Sequence, residues 1–291
     1  MPTRPDLQPL LDRFEQDLIL RQFRPATRRN YILYARLFLQ HIGPIDHVRE
    51  PQIKAFLLDQ IQRGRAHGSY RQLYAAIKFL FAVTLGRPDE VTRVPYPRQQ
   101  RRPSIAVLTP DEVRSLLESF TSPKYRTLFA TCYAAGLRIG EACRLQVTDI
   151  DSKHNVIRVR EGKGGQERIT LLSPRLLSEL RRYWLLERPR PWLFPGCKPG
   201  QPLSTESARK ALAQAALDAG LTCRCTPHTL RHCFATHLLH AGVEVVVLKS
   251  LLGHHSIRTT QRYTHVTTEH LQSVPCPLDL LPRPTPVEGR A

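Results

Sequence analysis

The sequence contains no uninterrupted apolar run that approaches the roughly 20 residues of a membrane-spanning helix. Its first residues also lack the apolar core of a signal peptide, which predicts a cytoplasmic, nucleoid-associated protein with no membrane partner. Acidic residues are scarce: 25 Asp and Glu stand against 43 Lys and Arg, so the formal net charge is +18. Such an excess favours a polyanionic partner, and nucleic acid is the first candidate.

The cysteine pattern does not fit a disulfide framework or a zinc site. The chain has seven cysteines, an odd number that predicts free thiols, and Cys132, Cys143 and Cys233 fall within helical patterns and are expected to be buried. Cys223-Arg-Cys225 with His228 close behind lacks the spacing of a Cys-x-x-Cys knuckle, and no second pair follows at finger distance. We therefore expect no metal and no other cofactor.

Residues 1–87 are predicted to form a small all-helical domain. Apolar residues recur at helical spacing in four successive segments, 7–18, 31–39, 53–61 and 73–81. Residues 88–107 follow as a basic linker, since four prolines in this stretch disfavour regular helix. The pattern leaves open whether this linker is merely solvated or lies along DNA.

Residues 108–270 are predicted to form a second, mostly helical domain, which gives a mainly α (α+β) fold class. Thr109-Pro-Asp-Glu112 is a capping box that begins its first helix. Short β-rich runs predict a three-stranded antiparallel sheet whose last two strands join across the glycine-rich turn 162–165; these runs are 147–150, 155–160 and 168–172. Further helices are predicted at 125–135, 174–186, 205–219, 228–239 and 245–252.

Two segments of this half are ambiguous. The run Val245-Val-Val-Leu has the composition of a strand, but its length and its helical neighbours favour a helix. Residues 271–291 are rich in proline and are predicted to be a tail that cannot fold alone.

The chemistry is concentrated in residues 253–266, together with 228–232 upstream. These stretches place Tyr263 downstream of histidines and arginines, with no carboxylate cluster among them. A phenolic oxygen can attack phosphorus when fixed cations neutralise the phosphate. His228 and Arg231, at i and i+3, share one helix face and can converge on one phosphate. The pattern therefore indicates a tyrosine that attacks a nucleic-acid phosphodiester.

Four boxes in this half resemble those of the tyrosine recombinases, the phage-integrase and Xer-like family. They are Gly136-Leu-Arg-Ile-Gly-Glu141, His228-Thr-Leu-Arg-His232, Leu252-Gly-His254 and Arg262-Tyr-Thr-His-Val266. The resemblance spans roughly residues 109–266, and the N-terminal helical module resembles the core-binding domain of that family. It implies a site-specific recombinase or integrase that cuts and rejoins DNA through a 3′-phosphotyrosine intermediate and a four-way junction, without metal or ATP. The implied partners are double-stranded DNA with specific recombination sites and a homo-tetramer in synapsis.

The resemblance implies that Arg138 and Arg231 bind the scissile phosphate. Arginine suits this role because it is always charged and donates bidentate hydrogen bonds to the oxygens of a pentavalent phosphorane. Glu141, one helical step past Arg138, is expected to orient it. Lys163 would protonate the leaving 5′-oxygen, although Gly-Lys-Gly also suits a tight turn with an exposed lysine, and Lys153 is a weaker substitute.

The resemblance assigns the remaining catalytic roles to His228, His254 and Tyr263. His228 would accept the proton of the attacking hydroxyl, His254 would donate a hydrogen bond to a non-bridging oxygen, and Tyr263 would be the nucleophile. Tyr125, Tyr133 and Tyr183 are rival tyrosines, but they lie within apolar periodicities and are predicted to be core.

Three other functions share parts of this pattern. A DNA-binding regulator with a decayed site is disfavoured because all six catalytic positions are occupied. A type IB topoisomerase would share the phosphotyrosine chemistry. A metal-dependent nuclease would lose its activity in EDTA. The proline-rich tail does not clearly form a helix that could exchange between protomers, so the mode of protomer coupling stays open.

Overall fold

The structure, a computed structural model, describes residues 7–42, 44–98, 106–160, 167–253, 274–279 and 281. The chain divides into two compact units, Met1–Pro103 and Ser104–Ala291. Within the described ranges, no helix is long and apolar enough to cross a membrane.

The described part of the first unit is all-helical and surrounds one apolar core. Its helices α1 to α5 are Gln8–Leu20, Pro25–His41, Glu50–Gln62, His67–Phe79 and Asp89–Thr92. A π-helical turn, Leu80–Thr84, continues α4. Phe38 is fully buried and makes edge-on ring contacts with Phe56 and Phe81, at centroid distances of 5.1 and 5.9 Å. The four amphipathic helices predicted from the apolar periodicity are confirmed as α1 to α4.

The core of the first unit extends into the stretch that was predicted to be linker. Residues 89–92 form α5, and Val91 and Val94 are buried in the same cluster as the long helices. Pro88 directly precedes α5, where its missing N–H leaves no hydrogen bond unmade. The hydroxyl of Tyr74 also donates to the carbonyl oxygen of Val94 at 2.9 Å. The expectation that proline excludes a helix here is therefore wrong for residues 89–92.

The second unit is mostly helical and carries a small sheet. Its described helices α6 to α12 are Pro110–Glu118, Pro123–Ala135, Ile139–Cys143, Pro174–Glu187, Thr205–Asp218, Pro227–His240 and Val245–Leu252. The strands β1 to β3 are Ile150–Asp151, Val156–Val159 and Arg168–Leu171, paired antiparallel in that order. The mainly α fold with a three-stranded antiparallel sheet is thus confirmed, whereas the turn predicted at 162–165 lies outside the described residues.

Two local predictions in this unit are confirmed and one is wrong. The box at α6 forms as expected: the backbone N–H of Thr109 donates to Glu112 Oε2 at 2.7 Å, and that of Glu112 donates to Thr109 Oγ1 at 3.2 Å. Residues 245–252 are helical, and Leu251 is buried in an apolar cluster with residues of β2, β3 and α11. Residues 147–149, predicted as strand, form a 3₁₀ turn because Asp149 Oδ2 accepts from the N–H of Gln146 at 2.8 Å.

A short C-terminal segment packs on the core of the second unit. Cys276, Leu278 and Leu281 are 3–4% exposed and belong to its main apolar cluster. Ser173 Oγ donates to Asp279 Oδ1 at 3.1 Å, and Tyr133 Oη lies 3.4 Å from the carbonyl oxygen of Pro277. The described residues of this segment, 274–279 and 281, are thus held by contacts with the core of the second unit.

The three cysteines expected in helices are free and buried. Burial raises the pKa of Cys143 to about 11, and it raises the pKa values of Cys132 and Cys233 as well. These thiols are small apolar groups of the core, as the sequence predicted.

Candidate active site

The connection between α7 and α8 positions Arg138. Helix α7 ends at Gly136, whose φ of +61° lies in the left-handed region. A Cβ on this glycine would lie 2.5 Å from the ring of Phe234, so both the backbone and the packing require glycine. Leu137 is fully buried next to it. Arg138 then begins α8 with an extended backbone, half-buried beside the first turn of that helix.

Glu141 holds Arg138 by two hydrogen bonds. Its Oε2 accepts from the backbone N–H of Arg138 at 2.8 Å, and its Oε1 accepts from Arg138 Nη1 at 2.7 Å. The Glu141 side chain is only 3% exposed. The orienting role that the sequence suggested for Glu141 thus has a direct geometric basis.

Arg168, the first residue of β3, binds the same carboxylate and was not predicted. Its Nη1 donates to Glu141 Oε1 at 3.1 Å and its Nη2 donates to Oε2 at 2.8 Å, a bidentate pair. Its Nε donates to the carbonyl oxygen of Leu251, near the end of α12, at 3.1 Å. The sequence gives no local signal for this contact, because the two partners are 27 residues apart and an arginine at a strand end is ordinarily exposed.

Helix α11 supplies Arg231 and His228. Arg231 is buried; its Nη1 donates to the carbonyl oxygen of Gly136 and its Nη2 to that of Leu252, both at 2.5 Å. Nη1 also lies 3.9 Å from Glu141 Oε2. His228 is exposed, one turn earlier on the same helix. The N-terminus of α11 is fixed by Thr226, whose Oγ1 accepts from the N–H of Thr229 at 3.2 Å.

The structure therefore brings Arg138 and Arg231 together around one buried carboxylate, with His228 on the same helix as Arg231. Lys163, His254 and Tyr263 lie outside the described residues. Of the rival tyrosines, Tyr133 and Tyr183 are 1% exposed and Tyr125 packs partly buried against the core. In the described part of the chain, no group of three or more His, Cys, Asp or Glu could hold a metal ion.

The electrostatics of this cluster favour an anion. Burial alone would raise the pKa of Glu141, but hydrogen bonds from Arg168 and Arg138 outweigh it and lower this pKa to about 2. Burial, and then the charge of Arg138, lowers the pKa of Arg231 to about 10, so Arg231 stays charged at neutral pH. Three arginines and one ionised glutamate leave a formal charge of +2. A phosphodiester that acquires charge in its transition state fits such a site.

His228 has a depressed proton affinity. Burial lowers its pKa, and the positive charges of Arg231 and Arg138 lower it further. The imidazole is therefore neutral at pH 7 and can accept a proton.

Known proteins share the sequence and the fold of this chain. Residues 106–270 match the family model described as the Phage integrase family, and residues 10–90 match the phage integrase N-terminal SAM-like domain. The putative integrase/recombinase y4qK of Sinorhizobium fredii is 40% identical over 285 residues, which cover 96% of this chain and 92% of that protein. Tyrosine recombinase XerA of Thermococcus kodakarensis is 33% identical, over 90% of this chain and 93% of its own length.

Among solved structures, a lambda integrase tetramer bound to a Holliday junction shares the fold. The TM-score is 0.74 at 20% sequence identity, over 89% of this chain and 77% of that chain. A Tn1549 transposon integrase in complex with circular intermediate DNA gives a TM-score of 0.65 at 21% identity, over 90% of this chain and 97% of that chain.

Proposed function

Because the chain belongs to the phage integrase family and is a tyrosine-type site-specific DNA recombinase, we propose that its second unit cuts and rejoins DNA at the arginine cluster around Glu141. One observation supports this location most directly: Arg138 and Arg231, from different helices, meet at a single buried carboxylate. Their hydrogen-bond donors are thus fixed before substrate arrives, as stabilisation of a transition state requires.

The proposed nucleophile is Tyr263. Its phenolic oxygen attacks the scissile phosphorus, forming a 3′-phosphotyrosine bond and breaking the bond to the 5′-oxygen, which leaves as a hydroxyl. Because the phosphodiester energy is kept in the covalent adduct, another 5′-hydroxyl can reverse the step without ATP. The exchanged strands pass through a four-way junction.

The other predicted residues either transfer protons or stabilise negative charge. Neutral His228 accepts the proton of the attacking hydroxyl, since its lowered pKa keeps it unprotonated at pH 7. Lys163 protonates the leaving 5′-oxygen, and His254 donates a hydrogen bond to a non-bridging oxygen. Arg138 and Arg231 stabilise the charge that develops on the phosphorane.

The proposed partner is duplex DNA that contains a specific recombination site, and the proposed synaptic assembly is a homo-tetramer. The lambda integrase and the Tn1549 integrase that share the fold were each solved in complex with DNA, the former as a tetramer on a Holliday junction. The net charge of +18 suits a duplex phosphate backbone. The first unit is proposed to bind DNA beside the catalytic unit, and the protein acts in the cytoplasm, where the DNA is.

Tyr263→Phe tests the nucleophile, because it removes one oxygen and leaves the ring. We expect this variant to bind DNA like the wild type and to form no covalent protein–DNA adduct on a nicked suicide substrate. The adduct is detected as a slowly migrating band on a denaturing gel.

Tyr183→Phe is the matched control for this experiment. The hydroxyl of Tyr183 is buried and has no hydrogen-bond partner among the residues that the structure describes, so its removal changes the same atom without touching the cluster. It should form adduct at the wild-type rate. An adduct from Tyr263→Phe would show that another residue is the nucleophile. A wild-type protein that binds its site but forms no adduct would be a regulator, and one that relaxes any supercoiled plasmid as a monomer would be a topoisomerase.

A further inference from the structure

Arg168 lies within the arginine cluster but has no role in the mechanism above. Its side chain is 12% exposed, and its donors are directed to protein atoms: both oxygens of Glu141 and the carbonyl oxygen of Leu251. All three of its side-chain nitrogens thus donate to protein oxygens, so Arg168 can act on the reaction without touching the DNA. Its influence on the reaction must pass through the groups that it binds.

We propose that Arg168 is a positioning residue for DNA cleavage: it neutralises Glu141, so that the charges of Arg138 and Arg231 remain available to the scissile phosphate. This inference rests on the proposed function of the cluster.

Glu141 competes with the phosphate for the two arginines that are proposed to bind it. The Glu141 carboxylate lies 2.7 Å from Arg138 Nη1 and 3.9 Å from Arg231 Nη1, so it attracts both of the groups that the phosphate requires. A buried carboxylate with few partners would draw these guanidinium groups toward itself. The bidentate bond from Arg168 occupies both carboxylate oxygens and supplies a compensating charge. Without it, the formal charge of the cluster falls from +2 to +1.

The Nε of Arg168 adds a second constraint, at the end of α12. It binds the carbonyl oxygen of Leu251, while Arg231 binds that of Leu252, so the two last carbonyls of the helix both face cations. Gly253 ends the helix with a φ of +61°, and a Cβ there would lie 2.9 Å from Arg168 Cδ. Arg168 thus joins three elements, namely β3, α8 and α12, at the point where Arg231 also binds.

Lysine cannot reproduce this geometry. Its ammonium is a single point charge, whereas Arg168 uses three nitrogens on two partners in different elements. Arg168→Lys should therefore keep part of the neutralisation and lose the fixed orientation. Arg168→Gln should lose both.

The first experiment compares Arg168→Gln and Arg168→Lys with the wild type in single-turnover cleavage at saturating protein. We expect Arg168→Gln to slow cleavage by about tenfold or more, with Arg168→Lys in between, because a group that orients transition-state donors acts on the rate. The affinity for an intact site should change by less than about threefold, since the residue does not touch DNA. Arg182→Gln is the control: it removes one exposed arginine that pairs with Glu179 on α9, and should cleave like the wild type.

A second comparison separates neutralisation from a merely structural role. If Arg168 acts by neutralising Glu141, its loss should matter little once the carboxylate is gone. The double variant Glu141→Gln/Arg168→Gln should then cleave within about threefold of Glu141→Gln alone. If Arg168 only stabilises the fold, independently of Glu141, the reductions in cleavage rate caused by the two substitutions multiply. This comparison uses only the double variant and Glu141→Gln, so it still tests the inference if Arg168→Gln by itself fails to fold.

The outcomes are distinct. Wild-type protein that forms no covalent adduct overturns the proposed function, and the inference with it. Wild-type protein that cleaves, together with an Arg168→Gln variant that cleaves within about twofold of it, overturns the inference alone. So does a double variant that cleaves more than about threefold slower than Glu141→Gln alone.

Discussion

At the scale of single residues, the cluster shows how neighbours set the chemistry of a side chain. His228 is an exposed histidine, but partial burial and the charges of Arg231 and Arg138 make it harder to protonate than a histidine in water. Glu141 shows the opposite effect, because arginines hold it ionised to about pH 2. Arg138 thus contributes both to the lowered pKa of His228 and to the lowered pKa of Glu141.

The pH dependence of cleavage should report the pKa of His228 in the free protein. As pH falls, protonation removes the lone pair that accepts the hydroxyl proton, so the second-order rate constant should fall with an apparent pKa below the usual value of about 6.5. The rate should be flat from that pKa up to about pH 8. The measurement is adduct formation at sub-saturating protein between about pH 5 and pH 8.

His228→Gln is the control for this profile. It should cleave more slowly and lose the acid limb, because glutamine does not titrate. An acid limb that persists unchanged in His228→Gln would assign the ionisation to another group.

The sequence predicted part of this cluster and missed part of it. Arg138, Glu141 and Arg231 were expected because their short motifs resemble those of the tyrosine recombinases, and such motifs can be found in a single sequence. Arg168 was missed because its partner is distant in sequence, and only the fold brings β3 to α8. Long-range pairing of this kind has no signature in a single chain.

At the scale of elements, two glycine-terminated helices expose the carbonyls that the arginines bind. Helix α7 ends at Gly136, whose carbonyl oxygen binds Arg231, and α12 ends at Gly253 beside Arg168. The helix ends are thus part of the cluster. Capping patterns predicted where helices begin, whereas the docking of residues 274–281 depends on a core surface that no local pattern describes.

Gly136→Ala should therefore destabilise the second unit by about 1–3 kcal/mol or more, since the new Cβ adds strain at positive φ and overlaps the ring of Phe234. The measurement is the urea midpoint of unfolding, together with the cleavage rate. Gly220→Ala is the matched control: its φ is +67°, but no atom of the described residues lies within 4 Å of the added Cβ. An equal loss in both variants would mean that backbone strain accounts for the effect and that the contact with Phe234 does not.

At the scale of the whole molecule, each unit has an apolar core of its own. The cluster of the first unit runs from Leu11 to Val94, and the main cluster of the second runs from Leu108 to Leu281. The sequence predicted two domains with the first ending at residue 87, because prolines around α5 suggested a linker, but Val91 and Val94 belong to the first apolar cluster.

Separate expression of residues 1–103 and 104–291 should give two folded proteins, each with a cooperative thermal transition by calorimetry. Each should bind DNA more weakly than the whole chain, because the tether lets both engage at once. A shorter fragment, 1–87, should melt at lower temperature than 1–103, since it lacks Val91 and Val94 of the core. Equal melting temperatures for the two fragments, or aggregation of both halves, would contradict this division.

The excess positive charge around Glu141 also links folding to substrate. Without an anion, the guanidinium groups of Arg138 and Arg231 repel each other, and burial together with this repulsion already weakens the hold of Arg231 on its proton. Glu141 offsets part of this repulsion, but the formal charge of the cluster is still +2. An anionic substrate relieves that repulsion, and thermodynamic linkage requires any ligand that prefers the folded state to stabilise it. The protein should thus be most stable when it is bound to the DNA that it cuts.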